Sequence, residues 1–244
     1  MRNVRRISAS IVLLLALAVV AWASQPWKSK PYQQWNKKDV SRVMNDSPWE
    51  KTDRVTAAWK TKVLTSSEEV TGSVSEYGGS NASMNGPAGL GMRPRQGSAK
   101  FQARWISAKT MREAMLRQGE LEGKMTPTMA QSELAQTPAD YQIFISGKDM
   151  TPFAKLEDAD VAKISYLQIN RPKGELSPVN VKFDRSPNGT RVIGIVLSFP
   201  KTLNGKPTIA ANANHAELVC KLKGTILRFR FDPSKMIGKH GRDL

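Results

Sequence analysis

The chain has 244 residues and a formal net charge of +16, with 37 Lys and Arg residues against 21 Asp and Glu residues. Its single cysteine excludes an internal disulfide, so the fold must rest on a hydrophobic core. With two histidines and no Cys-x-x-Cys spacing, the sequence also lacks the zinc motifs built on those residues.

The N-terminal residues match a secretory signal peptide. An apolar run from Ile11 to Val20 follows three arginines and ends in Ala21-Trp22-Ala23, a small-x-small cleavage pattern. The run is short for a spanning helix, which needs roughly 17 to 25 apolar residues. We expect cleavage after Ala23, a mature chain without a transmembrane segment, and a periplasmic or secreted location. An uncleaved anchor is the alternative interpretation.

Residues 24–64 predict a helical arm rich in tryptophan. Asn36 is placed to cap a helix with Asp39 at its third position, and Ser47-Pro48 ends the helical pattern. The tryptophans of this segment are Trp27, Trp35, Trp49 and Trp59. Beside basic residues such as Arg42 they form either a platform for sugars and membrane interfaces or anchors that pack the arm on the main domain. We expect the anchoring role.

Residues 65–98 predict a flexible linker, because they hold seven of the seventeen glycines and little apolar periodicity. The domain that follows, residues 99–244, begins with strands mixed with helices. The strand segments are residues 101–107 and 141–147. Thr110 and Glu113 predict a capping box that opens a helix, and a second helix begins at Pro127 and ends before Pro138.

The sequence from residue 163 onward is typical of an all-β region. The predicted strands are residues 164–169, 179–184, 190–199, 216–222 and 225–231. Strands at this spacing, separated by proline, glycine and asparagine turns, indicate an antiparallel sandwich or open barrel. The predicted class is therefore α+β, mostly antiparallel β in the C-terminal half.

Two hairpins have a predicted register. A three-residue loop closed by Gly189 would pair Phe183 with Ile193. It would also pair Val181 with Ile195, and Val179 with Leu197. The turn Lys223-Gly224 would pair Leu222 with Thr225, Cys220 with Leu227, Leu218 with Phe229, Ala216 with Phe231 and Glu217 with Arg230. Cys220 is then a buried apolar residue rather than a nucleophile.

Catalytic and metal-binding motifs are absent from the sequence. It contains neither a Gly-x-Ser-x-Gly elbow nor a phosphate loop. The acidic group Glu157, Asp158 and Asp160 lacks the pattern of a calcium loop and predicts a solvated helix end. A pair of catalytic carboxylates leaves no local signature, so enzymatic activity stays uncertain and no catalytic, cofactor or metal residue is assigned.

Positive charge concentrates at the C-terminal end, where residues 163–244 contain 15 basic and 5 acidic residues. The candidate polyanion-binding residues are Lys221, Arg228, Arg230, Lys235, Lys239 and Arg242. Such a surface favours acidic glycans or lipopolysaccharide, although a solvated face that confers solubility is the alternative. Because exposed charges contribute little to stability, replacing Arg228 and Arg230 should leave the thermal midpoint nearly unchanged.

Several short motifs, scattered along the chain, resemble those of a group of known sequences. They are Trp35, Asp39-Val40, Ser47-Pro48-Trp49, Trp105-Ile106-Ser107-Ala108, Met111-Arg112-Glu113-Ala114, Phe231-Asp232-Pro233 and Lys235-Met236. In these motifs the chain resembles a group of uncharacterised exported proteins of Gram-negative bacteria. The resemblance implies a location in the bacterial envelope and supplies no activity or catalytic residue.

The sequence therefore predicts an exported, non-enzymatic binding or interaction module of the bacterial envelope. Its expected partners are an acidic glycan, lipopolysaccharide or an envelope protein, bound through a basic C-terminal face, and no cofactor is expected. The alternative is a hydrolase that acts on envelope glycans or peptides. Two close carboxylates in a pocket, with raised pKa values, would favour the hydrolase.

Overall fold

The structure is a computed structural model that describes residues 25–57 and 97–244. Its helices are α1 (Pro26–Ser29), α2 (Lys37–Asn45), α3 (Lys109–Leu121), α4 (Pro127–Ala135) and α5 (Asp158–Ile164). The first seven strands are β1 (Glu50–Ala57), β2 (Gly97–Trp105), β3 (Asp140–Gly147), β4 (Ser165–Asn170), β5 (Lys173–Leu176), β6 (Asn180–Arg185) and β7 (Val192–Pro200). The others are β8 (Thr202–Leu203), β9 (Lys206–Pro207), β10 (Ala216–Leu222), β11 (Thr225–Phe231), β12 (Ile237–Gly238) and β13 (Gly241–Arg242).

The predicted arm, residues 24–64, is helical over residues 25–49, which pack on the main domain. Residues 50–57 instead form strand β1, and residues 58–64 lie outside the described residues, as does most of the predicted linker. Residues 25–49 are called the N-terminal arm below. At the start of α2 the Asn36 side chain accepts a hydrogen bond from the Asp39 amide (2.9 Å), and the Asp39 carboxylate accepts one from the Asn36 amide (3.3 Å). This confirms the predicted capping box. Trp27, Trp35 and Trp49 are buried, whereas Trp59 lies outside the described residues. The tryptophans therefore anchor the arm.

Five antiparallel strands form the larger sheet, in the order β1-β2-β3-β7-β6. One face of these strands is apolar because buried residues alternate along them; Phe101, Ala103 and Trp105 on β2 are fully buried. Strand β1 follows the arm directly and was not predicted from the sequence. Its positions 51–56 are half-buried or exposed, which is typical of an edge strand.

Four strands form the second sheet, in the order β11-β10-β4-β5. Every predicted pair of the β10–β11 hairpin is confirmed, from Leu222 with Thr225 to Ala216 with Phe231. Cys220 is fully buried, as predicted, and accepts a hydrogen bond from the Ser165 hydroxyl at 3.3 Å. Burial raises the pKa of this thiol to about 12, so it stays protonated at neutral pH.

The two sheets share one hydrophobic core and meet where β1 runs beside β11. At this junction the Asp53 carboxylate accepts a hydrogen bond from the Arg228 amide (2.8 Å). In the core, Trp105 contacts the ring of Phe231 edge-on with centroids 5.2 Å apart. The described strands form these two open sheets and two short pairs, β8 with β9 and β12 with β13, and not a closed barrel. The predicted α+β class, with mostly antiparallel sheets in the C-terminal region, is confirmed.

The predicted register of the β6–β7 hairpin is wrong by two residues. Phe183 faces Ile195 instead of Ile193, and Val181 faces Leu197. The loop is longer than predicted because Ser186 closes it by pairing with Arg191, whose amide donates to the Ser186 hydroxyl at 3.0 Å. The strand then bulges, since Arg185 faces Val192 and Asp184 faces Gly194.

A shift of two residues preserves the face of each side chain. Phe183 and Ile195 therefore stay on the buried side. The sequence also placed Ile193 and Val179 on that side, which is wrong: they are 44% and 59% exposed, because Ile193 is the unpaired residue of the bulge and Val179 precedes β6. Gly189 has φ of +70°, the left-handed conformation that its position in the turn predicted.

Among the residues that the structure describes, no helix combines the length and apolar character needed to cross a membrane. The acidic residues at 157–160 begin α5 rather than end a helix. There the Asp160 carboxylate accepts a hydrogen bond from the Glu157 amide at 3.1 Å. Negative charge at this end is stabilised by the helix dipole.

Candidate anion-binding surface

The six candidate cations lie at two places. Lys221, Arg228 and Arg230 are exposed on the outward face of the β10–β11 hairpin, as the register predicted. Lys235 follows β11 and lines a cleft together with Arg230. Lys239 and Arg242 instead line a separate small cavity near the start of α3. The structure therefore brings Arg230 and Lys235 together and places the last two cations elsewhere.

Two of the hairpin arginines surround a buried carboxylate. The side chain of Glu217 is 8% exposed, and its oxygens lie 3.2 Å from Arg228 Nη1 and 3.8 Å from Arg230 Nη2. A carboxylate with so little access to water needs charged or hydrogen-bonding neighbours. Replacing both arginines would remove both cations from Glu217, so we now expect a loss of stability where the sequence predicted almost none.

Lys221 is held differently, since its ammonium lies 4.9 Å from the centre of the Tyr166 ring on β4. This cation–π contact fixes the side chain on the outer face of the second sheet. Lys221 therefore adds positive charge to the hairpin face and, unlike the two arginines, does not pair with Glu217.

The cleft has a volume of about 680 Å³ and lies between the N-terminal arm, the start of β1 and the end of β11. Its charged lining residues are Arg42, Asp46, Lys51, Arg230, Asp232 and Lys235. The other lining residues are Gln25, Trp27, Ser47, Pro48, Asn214 and Phe231. Four cations thus face two carboxylates, beside apolar surface and two side-chain amides.

Lys51 is the most constrained cation of the cleft. Its ammonium donates to the backbone carbonyls of Glu50 (2.7 Å) and Ser47 (3.5 Å) and lies 5.9 Å from the centre of the Phe231 ring. Burial lowers the pKa of Lys51 below its ordinary value, while the nearby carboxylates oppose that change. An anion placed beside this ammonium would favour its charged form.

The Asp232 side chain forms hydrogen bonds within a local turn. Its carboxylate accepts hydrogen bonds from the amide (3.1 Å) and the hydroxyl (2.5 Å) of Ser234, and lies 3.4 Å from Lys235 Nζ. Burial alone would raise the pKa of Asp232, but these hydrogen bonds hold it below its usual range. Asp232 is therefore an anion at neutral pH that positions Lys235 at the rim of the cleft.

Two buried polar atoms in the cleft wall lack a hydrogen-bond partner among the described residues. They are the indole nitrogen of Trp27 and the hydroxyl of Ser47, on side chains that are almost fully buried. Buried polar groups are normally paired, so such atoms call for an explanation. Both atoms are shielded from solvent, so they belong to the interior of the cleft wall and not to its surface.

The small cavity that Lys239 and Arg242 line also contains two acidic groups. Asp243 accepts hydrogen bonds through both carboxylate oxygens, from the amides of Lys109 (2.6 Å) and Thr110 (2.7 Å). Asp243 therefore caps α3 from the far end of the chain, and the predicted capping box of Thr110 and Glu113 is wrong. The helix begins at Lys109, earlier than a box with Thr110 as the N-cap requires, and Asp243 binds the Thr110 amide that Glu113 was expected to bind.

Glu113 lines this cavity as well, and burial raises the pKa of its carboxyl to about 6. The positive charge of Lys109 opposes the rise and the negative charge of Asp243 adds to it. The cavity measures only about 70 Å³, and Asp243 is occupied by the helix. The two acidic groups therefore do not form the pair of available carboxylates that hydrolysis of a glycan requires.

Sequence reasoning found Arg230 and Lys235 but missed Lys51. Lys51 and Arg230 lie on strands far apart in the chain, and they share the cleft because β1 runs beside β11. Arg42 was recognised as a basic residue among tryptophans, without a place in a site. The described residues include no group of three or more His, Cys, Asp or Glu side chains arranged to hold a metal ion.

Comparison with known proteins adds no function. No protein-family model matches the chain, and neither a curated protein nor a solved structure shows significant similarity to it.

Proposed function

We propose that the chain is an exported, non-enzymatic binding module of the bacterial envelope that engages polyanions such as acidic glycans or lipopolysaccharide. Export is supported by the apolar run behind the N-terminal arginines and by the resemblance to envelope proteins. The polyanion is bound by the basic surface formed by the β10–β11 hairpin and the adjoining cleft.

One observation carries this proposal: Arg230 and Lys235 share a cleft with Arg42 and Lys51, which come from a distant part of the chain. Four cations around one concave space produce a stronger local field than the same charges spread over a convex surface. Lys221 and Arg228 extend this positive surface along the hairpin. A chain of phosphates or carboxylates matches such an arrangement.

Hydrolysis by a carboxylate pair is the competing function, and it has less support. Glu113 has the raised pKa of a general acid, but the neighbouring Asp243 is committed to two backbone amides. Binding without catalysis therefore accounts for more of the described surface.

The test is binding of the purified protein to lipopolysaccharide and to a neutral dextran at two salt concentrations. Raising the salt from 0.01 M to 0.15 M shortens the Debye length from about 30 Å to about 8 Å, so binding to lipopolysaccharide should fall steeply. Neutral dextran should not bind. Equal binding of both polymers, or binding that salt leaves unchanged, would overturn the proposal.

The informative variant is Lys221→Gln with Lys235→Gln, since neither lysine supports Glu217. A cation near an anionic surface contributes about 1 kcal/mol, so affinity at low salt should fall about tenfold or more. The matched control is Lys163→Gln with Lys182→Gln, which removes two exposed lysines from α5 and β6. An equal loss in the control would show a response to net charge alone.

A further inference from the structure

We infer that the cleft is a discrete subsite for one anionic sugar unit, a hydroxyl-bearing ring that carries a phosphate or a carboxylate. This inference rests on the proposed function, because it names the part of a polyanion that is recognised and the residues that recognise it. The hairpin face would then supply general attraction, and the cleft would supply selectivity.

The charge of the cleft selects for an anion. Its cations Arg42, Lys51, Arg230 and Lys235 outnumber its carboxylates by two. Lys235 lies 3.4 Å from Asp232, and Arg230 lies 3.8 Å from the buried Glu217, but both side chains remain more than 70% exposed. The arginines offer several N–H donors in a plane, which suits the paired oxygens of a phosphate or carboxylate.

Lys51 gives the site a fixed donor. Two backbone carbonyls hold its ammonium, and an ammonium has three N–H groups, so one donor remains beyond those two contacts. The side chain is only half-buried, which leaves it accessible from the cleft while its surroundings weaken the screening by water. A ligand anion therefore meets a cation that has already lost much of its conformational freedom.

The uncharged lining selects for a sugar rather than a bare anion. Pro48 supplies partly exposed apolar surface, and the amides of Gln25 and Asn214 both donate and accept hydrogen bonds. A sugar ring presents apolar C–H surface together with hydroxyl groups, so it matches both kinds of lining.

The size of the cleft agrees with this class of ligand. Small-molecule sites commonly measure about 300 to 1,000 Å³, and the cleft is about 680 Å³. A sugar with an anionic substituent spans more of the space than inorganic phosphate and would link the two sides of the cleft.

The experiment is a titration of the protein with four compounds: glucose 6-phosphate, glucuronate, inorganic phosphate and glucose. Affinity is measured by calorimetry, and the ammonium of Lys51 is followed by NMR. We expect at least one of the two anionic sugars to bind about tenfold more tightly than both phosphate and glucose. The stronger of the two identifies phosphate or carboxylate as the recognised group.

Variants assign the binding to the cleft. Lys235→Gln should weaken it about threefold to tenfold, and Lys51→Met more, whereas Lys182→Gln on β6 should leave it unchanged. Lys51→Met removes a donor from two backbone carbonyls, so its folding must be checked. The wild-type NMR signal gives an independent readout, because the pKa of Lys51 should rise when an anionic sugar binds.

Three results would overturn the subsite. They are anionic sugars binding no more tightly than phosphate and glucose, a Lys51 signal that stays unchanged at saturation, and equal losses in Lys235→Gln and Lys182→Gln. Lipopolysaccharide binding by the same wild-type sample separates the two proposals. If it persists while the sugars fail, the subsite is wrong and polyanion binding stands; the reverse outcome refutes polyanion binding alone.

Discussion

Charged residues line both the cleft and the small cavity at the start of α3. The small cavity is called the C-terminal corner below. The two differ in whether the charged groups bind other parts of the protein. At the corner, Asp243 spends both carboxylate oxygens on the amides of α3, and its backbone carbonyl accepts a hydrogen bond from the Trp49 indole at 2.7 Å. In the cleft, cations gather around an open volume with fewer acidic partners. Charge at the corner stabilises the fold, whereas the cations of the cleft, of which Lys235 and Arg230 also pair with Asp232 and Glu217, line an open volume that a ligand anion can enter.

This comparison predicts that the largest loss of stability comes from the corner. Asp243→Ala removes the acceptor of two helix amides, and loss of a helix cap costs about 0.5 to 2 kcal/mol. We expect the upper end of that range, since two bonds are lost, and a fall in the thermal midpoint of about 4 to 8 °C. Calorimetry measures the midpoint.

The control for this change is Asp184→Asn, an exposed residue on β6 that should leave the midpoint within about 1 °C. Binding of lipopolysaccharide by Asp243→Ala at a temperature where it is folded should equal that of the wild type. A loss of binding without a loss of stability would break the proposed division between corner and cleft.

The corner should also give stability a pH dependence through Glu113. Its pKa rises on folding from 4.5 to about 6, because burial disfavours the carboxylate, so the folded state binds more protons between these values. This residue therefore makes the protein less stable as pH rises from 4.5 to 6, by up to about 2 kcal/mol.

Glu113→Gln should remove that cost. We expect the thermal midpoint to rise by a few degrees at pH 7.5 and to change little at pH 4.5. Glu175→Gln, an exposed change on β5, should show no such difference between the two pH values. An equal response of both variants would mean that Glu113 is not desolvated.

The hairpin arginines are expected both to stabilise the fold and to bind the polyanion. They therefore test whether these two roles can be separated. Arg228→Gln with Arg230→Gln should weaken polyanion binding and also destabilise the protein by about 1 kcal/mol, since Glu217 loses its cations. The arginine side chains are 51% and 71% exposed, which limits the effect through solvent screening.

Adding Glu217→Gln to this double variant should recover stability without recovering binding. Thermal midpoints and affinities of the wild type, Glu217→Gln alone, the double arginine variant and the triple variant form a cycle that separates the contribution to folding from the contribution to ligand binding. Recovery of binding together with stability would show that the arginines act on the ligand only through the fold.

The two hairpins show how far the sequence specifies the structure. The Lys223-Gly224 turn fixes the pairing of β10 with β11 because two residues allow a single register, and Gly224 adopts φ of +80°. The longer loop after β6 is compatible with more than one register of β6 against β7. There the hydrogen bonds of Ser186 with Arg191 and the bulge before Gly194 decide the register, and neither follows from local turn propensity.

Tertiary contacts explain what the sequence could not predict in the site. The Asn36 cap was predicted because both partners lie within four residues. The Asp243 cap and the meeting of Lys51 with Arg230 depend on how β1, β11 and the C-terminal residues come together. Local patterns therefore predicted the exposed cations of the hairpin. The tertiary fold places Arg42 and Lys51 beside them, which no local pattern predicts.

The most direct test of the central claim is a map of backbone amide shifts in NMR spectra during titration with the tighter-binding anionic sugar. The predicted result is that the largest shifts occur at Lys51, Arg230 and Lys235, with little change at Lys239 and Arg242. Shifts centred on the C-terminal corner, or no shifts at saturating sugar, would contradict the assignment of the cleft as the anion-binding site.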